Sequence, residues 1–204
     1  MSITNGYATL AEVKAALRIN DTIDDALLEM AIESASRAID GYAGRYFYNA
    51  GTATKNFAAQ DSYVVITEDL QSVSKVETAI SVGGDYVTWG ANDYQLEPLN
   101  GMADGLATPY TNIRAVGSYA FPTFGYPALD GQALVRITGV WGWASIPTAI
   151  KQATILQSSR IYKRLDSPLG VLSSPDLGFI RVGSRLDPDV AQLVDSYRTM
   201  RSFV

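Results

Sequence analysis

The sequence predicts an α+β protein: a small helical bundle formed by N- and C-terminal helices, with a β-rich insertion between them. Three observations carry this expectation. Apolar residues recur with a 3.6-residue period through the first forty or so positions. From Thr52 to Ile146 the texture changes to short runs of Val, Tyr and Thr broken by Gly and Pro. Helical periodicity then returns after Ile146-Pro147. The expected organisation is a helix pair over 1–48, a β-rich insertion over 52–146, and C-terminal helices with an extended arm over 147–204 that pack with 1–48 as one bundle.

Thr9-Leu10-Ala11-Glu12 reads as a capping box, with Leu10, Val13 and Leu17 on one face of the helix it starts. Thr22-Ile23-Asp24-Asp25 reads as a second box. The longer helix behind it places Leu27, Leu28, Ala31, Ile32, Ala35, Ala38, Ile39 and Tyr42 on its apolar side. Glu29, Glu33, Arg37 and Asp40 take the other side, with Glu33 four residues before Arg37 for a favourable pair. Gly41 and Gly44 mark the stop. Strands are expected at 62–67, 73–81, 86–89, 93–98, 111–117 and 133–143, with Gly83-Gly84-Asp85 as a hairpin turn. "NGMADGLATPY" and "YAFPTFGYPALDG" read as exposed loops.

Proline at 147 suits a first helical position, and the helix should run to Leu165. Leu156, Ala149, Ala153, Ile150, Ile161 and Leu165 span nearly half its circumference, with Arg160 and Arg164 inside that stripe, so it should touch more than one neighbour. Residues 179–186 read as an extended arm. Phe179, Arg181, Gly183 and Arg185 would face one way, and Ile180, Val182, Ser184 and Leu186 the other. Such an arm suits pairing with a sheet edge. Asp187 then caps a last helix with Pro188 at its first position and Val190, Leu193, Val194 and Tyr197 as its apolar stripe.

Composition narrows the chemistry. The 204 residues include neither Cys nor His. That removes thiol nucleophiles, disulfides, Cys-ligated zinc and histidine-based triads, leaving carboxylate pairs, Ser–Lys dyads or oxygen-ligated ions. No run approaches the roughly 18 apolar residues of a membrane span, and the first residues lack the pattern of a signal peptide; no membrane partner is expected. Net charge is −5. It is uneven: residues 1–100 carry 14 acids and 6 bases, residues 101–204 carry 7 acids and 10 bases. An acidic front half argues against gripping duplex DNA, which needs clustered Lys and Arg.

No P-loop, Rossmann glycine pattern, EF-hand or nucleophile elbow is present. Of the close acidic clusters, Asp24-Asp25 and Asp187/Asp189 fall at helix starts, where carboxylates stabilise exposed N–H groups; the third is Glu68-Asp69. Lys151 and Ser158 stand seven apart on one helix, an unpromising dyad. No catalytic, cofactor-binding or metal-ligating residue is therefore expected. Trp141 and Trp143, alternating with Gly142, read as packing anchors for the sheet. Their other reading is a stacking platform, which with Glu68, Asp69 or Glu97 would make a carbohydrate-binding or cell-wall-hydrolysing module. Tyr110, Tyr119, Phe121, Phe124 and Tyr126 gather around the Pro/Gly loop, a density suited to partner contact.

The front segment "TLAEVKAALRINDTIDDALLEMAIESASRAIDGYAGRYF" resembles the N-terminal helix pair of tailed-bacteriophage head–tail connector proteins, also called head completion or adaptor proteins, of the HK97 gp6-like / SPP1 gp15-like group. Leu10, Val13, Leu17, Asp25, Leu28, Ile32, Ala35, Tyr42 and Arg45 occupy the matching places. "ITGVWGWASIPTAIKQATILQSSRIYKRLDSPLGV" and "RLDPDVAQLVDSYR" are similar to longer members. The resemblance implies a structural protein of the virion neck, made in the host cytoplasm and without catalysis. It implies a homo-oligomeric ring, usually of twelve copies, beneath the portal protein, meeting the next neck or tail-completion protein. The C-terminal portion would dock on the portal: Arg181 and Arg185 polar, Ile180, Val182 and Leu186 adhesive. Genomic DNA would pass the channel without specific binding, since twelve copies carry about −60 and repel a phosphate backbone.

Overall fold

A computed structural model describes residues 3–59, 61–103, 105–123, 132–165, 171–174, 178–181 and 186–199. It is α+β, with four helices and a large antiparallel sheet among the described residues. The chain divides into two compact units, one of residues 1–48 with 146–204 and one of residues 49–145.

The first unit holds α1 (Leu10–Leu17), α2 (Asp25–Ala43), α3 (Thr148–Leu165) and α4 (Pro188–Asp195). The capping box at the start of α1 forms as expected: Thr9 Oγ1 accepts from the Glu12 N–H at 3.3 Å, and Glu12 Oε2 accepts from the Thr9 N–H at 2.8 Å. The second box does not form. Asp24 is the N-cap of α2 and makes no side-chain capping bond. Its Oδ2 instead accepts from Tyr162 Oη at 2.6 Å, and Asp25 pairs with Lys14 at 2.5 Å. The tertiary partners of these acids outcompete the local cap.

The buried side of α2 is Leu28, Ala31, Ile32, Ala35, Ser36, Ile39, Asp40 and Ala43. Leu27 and Ala38, expected inside, are exposed, and Asp40, expected outside, is buried. The helix ends at Gly44, whose φ of +68° suits a residue without Cβ; Gly41 lies inside it. The Glu33–Arg37 pair forms at 3.6 Å. α3 packs on α1, α2 and α4, as its lack of one clean polar face anticipated. Asp187 caps α4 by accepting from the Asp189 N–H at 3.0 Å, with Pro188 at the first position. Val190, Val194 and Tyr197 are buried. Phe47 is fully buried between Tyr7 and Tyr197, its ring edge-on to both at 5.7 and 5.8 Å. β9 (Val171–Ser174) and β10 (Gly178–Arg181) pair as a small antiparallel ribbon.

The second unit is built on β1 (Asn49–Phe57), β2 (Val64–Thr78), β3 (Val87–Thr88), β4 (Tyr94–Glu97), β7 (Tyr110–Ala115) and β8 (Val135–Gly142), with β5 (Met102–Ala103) and β6 (Leu106–Ala107) as a separate ribbon. The sheet order is β1-β8-β2-β7-β4, all antiparallel, with β3 on the end of β2. β8 alternates buried and half-buried residues, as a strand with one core face must. Val135, Ile137 and Trp141 point into a core with Val65, Leu70, Val76, Ile113 and Phe121. Gly139 has no alternative there, because a Cβ would sit 2.3 Å from the Ser72 carbonyl oxygen.

Two expected strands, 62–67 and 73–81, are one continuous β2. Register shifts at Ile66/Leu70, Leu70/Ser72 and Val73/Lys75 carry it past Glu68-Asp69. β1 was not among the expected strands. Its "NAGTATKNF" has little apolar alternation, and pairing with β8 makes it an edge strand. Gly83-Gly84 does turn the chain, with the Gly84 N–H donating to Ser81 O at 3.1 Å. The connection from β2 to β3 is nevertheless a longer loop over 79–86 rather than a tight hairpin. "NGMADGLATPY" contains the β5–β6 ribbon instead of plain loop.

Candidate functional site

The residues that could carry chemistry are engaged structurally. Trp141 is 1% exposed; its Nε1 donates to Ala53 O at 2.8 Å and its ring meets Phe57 at 5.5 Å. Trp143 is 2% exposed and donates to Asp69 Oδ2 at 3.0 Å. Neither presents a ring face to a ligand, so the packing reading of the pair stands and the stacking platform does not. Glu68 pairs with Lys55 at 2.6 Å. Glu97 is bound by Arg114 through two contacts of 2.6 and 3.3 Å, and that guanidinium holds its carboxyl below the usual carboxylate range. Lys151 pairs with Glu12 at 2.9 Å, while Ser158 is buried and donates to Thr154 O at 2.7 Å. Among the described residues no group of three or more acids is placed to hold a metal ion.

The residues expected to contact partners fall in both units. In the sheet unit, Tyr119 is 41% exposed, and its hydrogen bond to Asp93 pushes its hydroxyl pKa up. Phe121 is buried and stacked on Trp89 at 4.7 Å and 17°, so its ring belongs to the core. Phe124 and Tyr126 lie outside the described residues. In the helical unit, Ile180 and Arg181 fall on β10, in register with Leu172 and Val171. Val182 and Arg185 lie outside the described residues, and Leu186 is half-buried just before the α4 cap. Arg160 forms an ion pair with Asp187, which ties the root of the arm to α3.

A feature not anticipated lies at the C-terminal end of α2. Asp40 accepts a short hydrogen bond from Tyr7 Oη and pairs with Arg37 Nε at 2.9 Å. Tyr7 Oη in turn accepts from the Phe47 N–H at 2.9 Å, and the Tyr7 N–H donates to Ser36 Oγ at 3.1 Å. Beside this network is a concave groove of about 440 Å³ lined by Arg37, Asp40, Gly41, Gly44, Arg45 and Tyr46. The signal was legible: Ser36 and Asp40 continue the Leu28–Ile32 spacing of four, which places them on the buried side.

Burial pushes the Asp40 carboxyl up to about 6, against the opposing pull of the Tyr7 hydrogen bond and the Arg37 charge. An acid whose folded pKa is raised binds its proton more tightly when folded. Its contribution is therefore complete below the unfolded value of 3.8 and is lost as pH climbs through about 6. Asp40→Asn removes this titration. The stability of wild type relative to Asp40→Asn should fall by roughly 2–3 kcal/mol between pH 4 and pH 7. Urea melts of both proteins across that range check it, and a constant difference would contradict it.

No curated protein matches the chain. Among solved structures, the fold is similar to a chain in the neck of an empty GTA particle computed with C6 symmetry. The TM-score is 0.59 at 17% identity, over 98% of this chain and 94% of that one. The likeness is one of fold, and it extends over both the helical and the sheet residues. In sequence, residues 7–82 match the family described as phage gp6-like head-tail connector protein. The connector resemblance read from the helix pair therefore holds, over a span that runs from Tyr7 through α1, α2, β1 and β2.

Proposed function

We propose that this protein is a structural part of the neck of a phage or phage-like particle: a ring beneath the portal that links capsid to tail and extends the DNA channel. The observation that carries this reading is the gp6-like connector match over residues 7–82. The similarity in fold to a neck chain along almost the whole length adds to it. In this reading the N- and C-terminal helices work as one bundle and residues 52–146 form an inserted module. The protein is not an enzyme and resides in the virion after assembly in the host cytoplasm. Twelve copies form the ring, a number that sixfold symmetry accommodates as six pairs.

The arm of Ile180, Arg181, Val182, Arg185 and Leu186 docks on the portal. The aromatic segment of Tyr119, Phe124 and Tyr126 meets the next neck or tail-completion protein, with Phe121 anchoring it to the core and Tyr119 at the surface. The net negative charge of the ring lets DNA pass without adhering.

Light scattering on the purified protein, alone and mixed with isolated portal rings, tests this directly. Twelve copies of the 22.0-kDa chain weigh about 260 kDa, and a species of that order is expected, free or on the portal. A protein that remains a monomer and leaves the portal unchanged would overturn the reading.

A further inference from the structure

β1 is an open edge. It pairs with β8 on one side, and among the described residues no strand lies on its other side. From Gly51 to Phe57 it runs in unbroken register with β8 and contains no proline, so its outer N–H and C=O groups form a regular unpaired row. A charged side chain commonly guards such an edge. The one charge in β1, Lys55, is instead drawn onto its own sheet: Nζ pairs with Glu68 at 2.6 Å and stands over the Trp141 ring at 4.6 Å. The chemistry of an unpaired backbone row specifies its ligand, which is another extended strand.

Few segments of this chain could supply that strand to a second copy. A part that links two different structures needs its copies to point the same way, so their contact joins two different surfaces, which excludes β1 against β1. β4 has four residues and stops at Pro98, and β9 has four and stops at Pro175. β3, β5 and β6 have two residues each. β10 is different. It pairs with β9 in a sheet of two strands, separate from that of β1, and a two-stranded ribbon by itself is marginal in water. No proline interrupts the chain from Gly178 to Asp187, and the alternation read over 179–186 is about as long as Gly51–Phe57. The faces correspond as well. Ala53 and Phe57 of β1 pack on the sheet core, while Thr52, Thr54 and Asn56 are exposed. The period of two in the arm likewise sets Ile180 and Val182 on one side and both arginines on the other.

We infer that β10 and its continuation add as a further strand to the open β1 edge of a neighbouring copy of this chain, with Ile180 and Val182 on the core side beside Ala53 and Phe57. A register that reversed the faces would expose the apolar residues and set the arginines over the core. Each copy gives one strand and receives one, a heterologous contact that closes into a ring. The arm then meets the portal as part of its neighbour's sheet, with the arginine face outward. The inference rests on the ring reading above and gives it a specific interface.

The chain has no cysteine, so introduced thiols are the only ones. Thr52→Cys alters an exposed position of β1, and Gly183→Cys alters the arginine side of the arm. Treated with a flexible bismaleimide that spans a few residues of strand, the double variant should give a ladder of covalent oligomers on a denaturing gel, ending at the ring number. Each single variant should remain monomeric, and a mixture of the two should give a covalent dimer and nothing larger. In the wild-type protein, amide hydrogen exchange over residues 49–57 should slow when copies assemble, free or on portal rings. A covalent dimer from Thr52→Cys alone would overturn the inference by pairing β1 with β1. A cross-linked monomer in place of the ladder would overturn it by setting the arm on its own sheet. So would assembled double variant that gives no ladder, or unchanged exchange over 49–57 in wild-type rings; either result leaves the ring reading intact and puts the contact elsewhere. Wild-type protein that stays monomeric with and without portal rings would remove both.

Discussion

Trp141→Ala should destabilise the sheet unit by about 3–5 kcal/mol, the range for removing a large buried aromatic. The indole is 1% exposed, contacts Phe57, lies under the Lys55 ammonium at 4.6 Å, and satisfies the Ala53 carbonyl. Truncation leaves a cavity beside the register of β8 with β1 and β2, and an edge-strand carbonyl without its donor. All three tryptophans lie in residues 49–145, so the fluorescence of Trp89 and Trp143 still reports on this unit in the variant. A shift of the fluorescence transition to lower urea is expected. Unchanged stability with loss of glycan binding would instead revive the carbohydrate-binding module.

Phe47→Ala should cost the helical unit a similar amount, about 3–5 kcal/mol. Phe47 is fully buried, and its ring joins Tyr7, near the start of the chain, to Tyr197, just after α4. Edge-to-face pairs of this kind add roughly 0.5–1.5 kcal/mol each beyond the area they bury. The four helices of the described residues lie in this unit, so the far-ultraviolet circular dichroism transition is the measurement. Loss of less than about 1 kcal/mol would mean that the site collapses around the alanine and that the aromatic triad does not tie the two termini together.

The helical segments were the most legible part of the sequence, because their signals are local. Thr9 and Glu12, or Asp187 and Pro188, lie within one turn of the groups they satisfy, and the caps formed as read. Where a distant residue competed, the local reading failed. Asp24 and Asp25 have Tyr162 and Lys14 as partners, and no inspection of "TIDD" reveals them. The same applies to the face of α2. Periodicity allowed either Leu27 and Ala38 or Ser36 and Asp40 inside, and the Tyr7 hydroxyl, which makes burial of a carboxylate tolerable, decided for the latter.

The strands were less legible. β1 carries almost no apolar alternation, since an edge strand is held chiefly by backbone bonds to β8, which any sequence can make. The register shifts in β2 depend on where Leu70 meets both Trp141 and Tyr110, a fact of three strands together. Of the anticipated contact residues, Tyr119 is at the surface while Phe121 is stacked into the core. Aromatic density marks both uses equally: both rings touch Trp89, at 5.1 and 4.7 Å, and only their burial in the folded sheet unit tells them apart.

By itself, then, the sequence determined the α+β class, the capped starts of α1 and α4, the absence of histidine and thiol chemistry, and the connector resemblance, all of which rest on composition or on residues a few positions apart. The tertiary structure alone decided that Asp24 and Asp25 go to Tyr162 and Lys14 rather than to a cap, that Phe121 is buried while Tyr119 stays at the surface, and that 64–78 is one strand with shifted register. Those outcomes depend on contacts between residues far apart in the chain, whose energies no local pattern encodes.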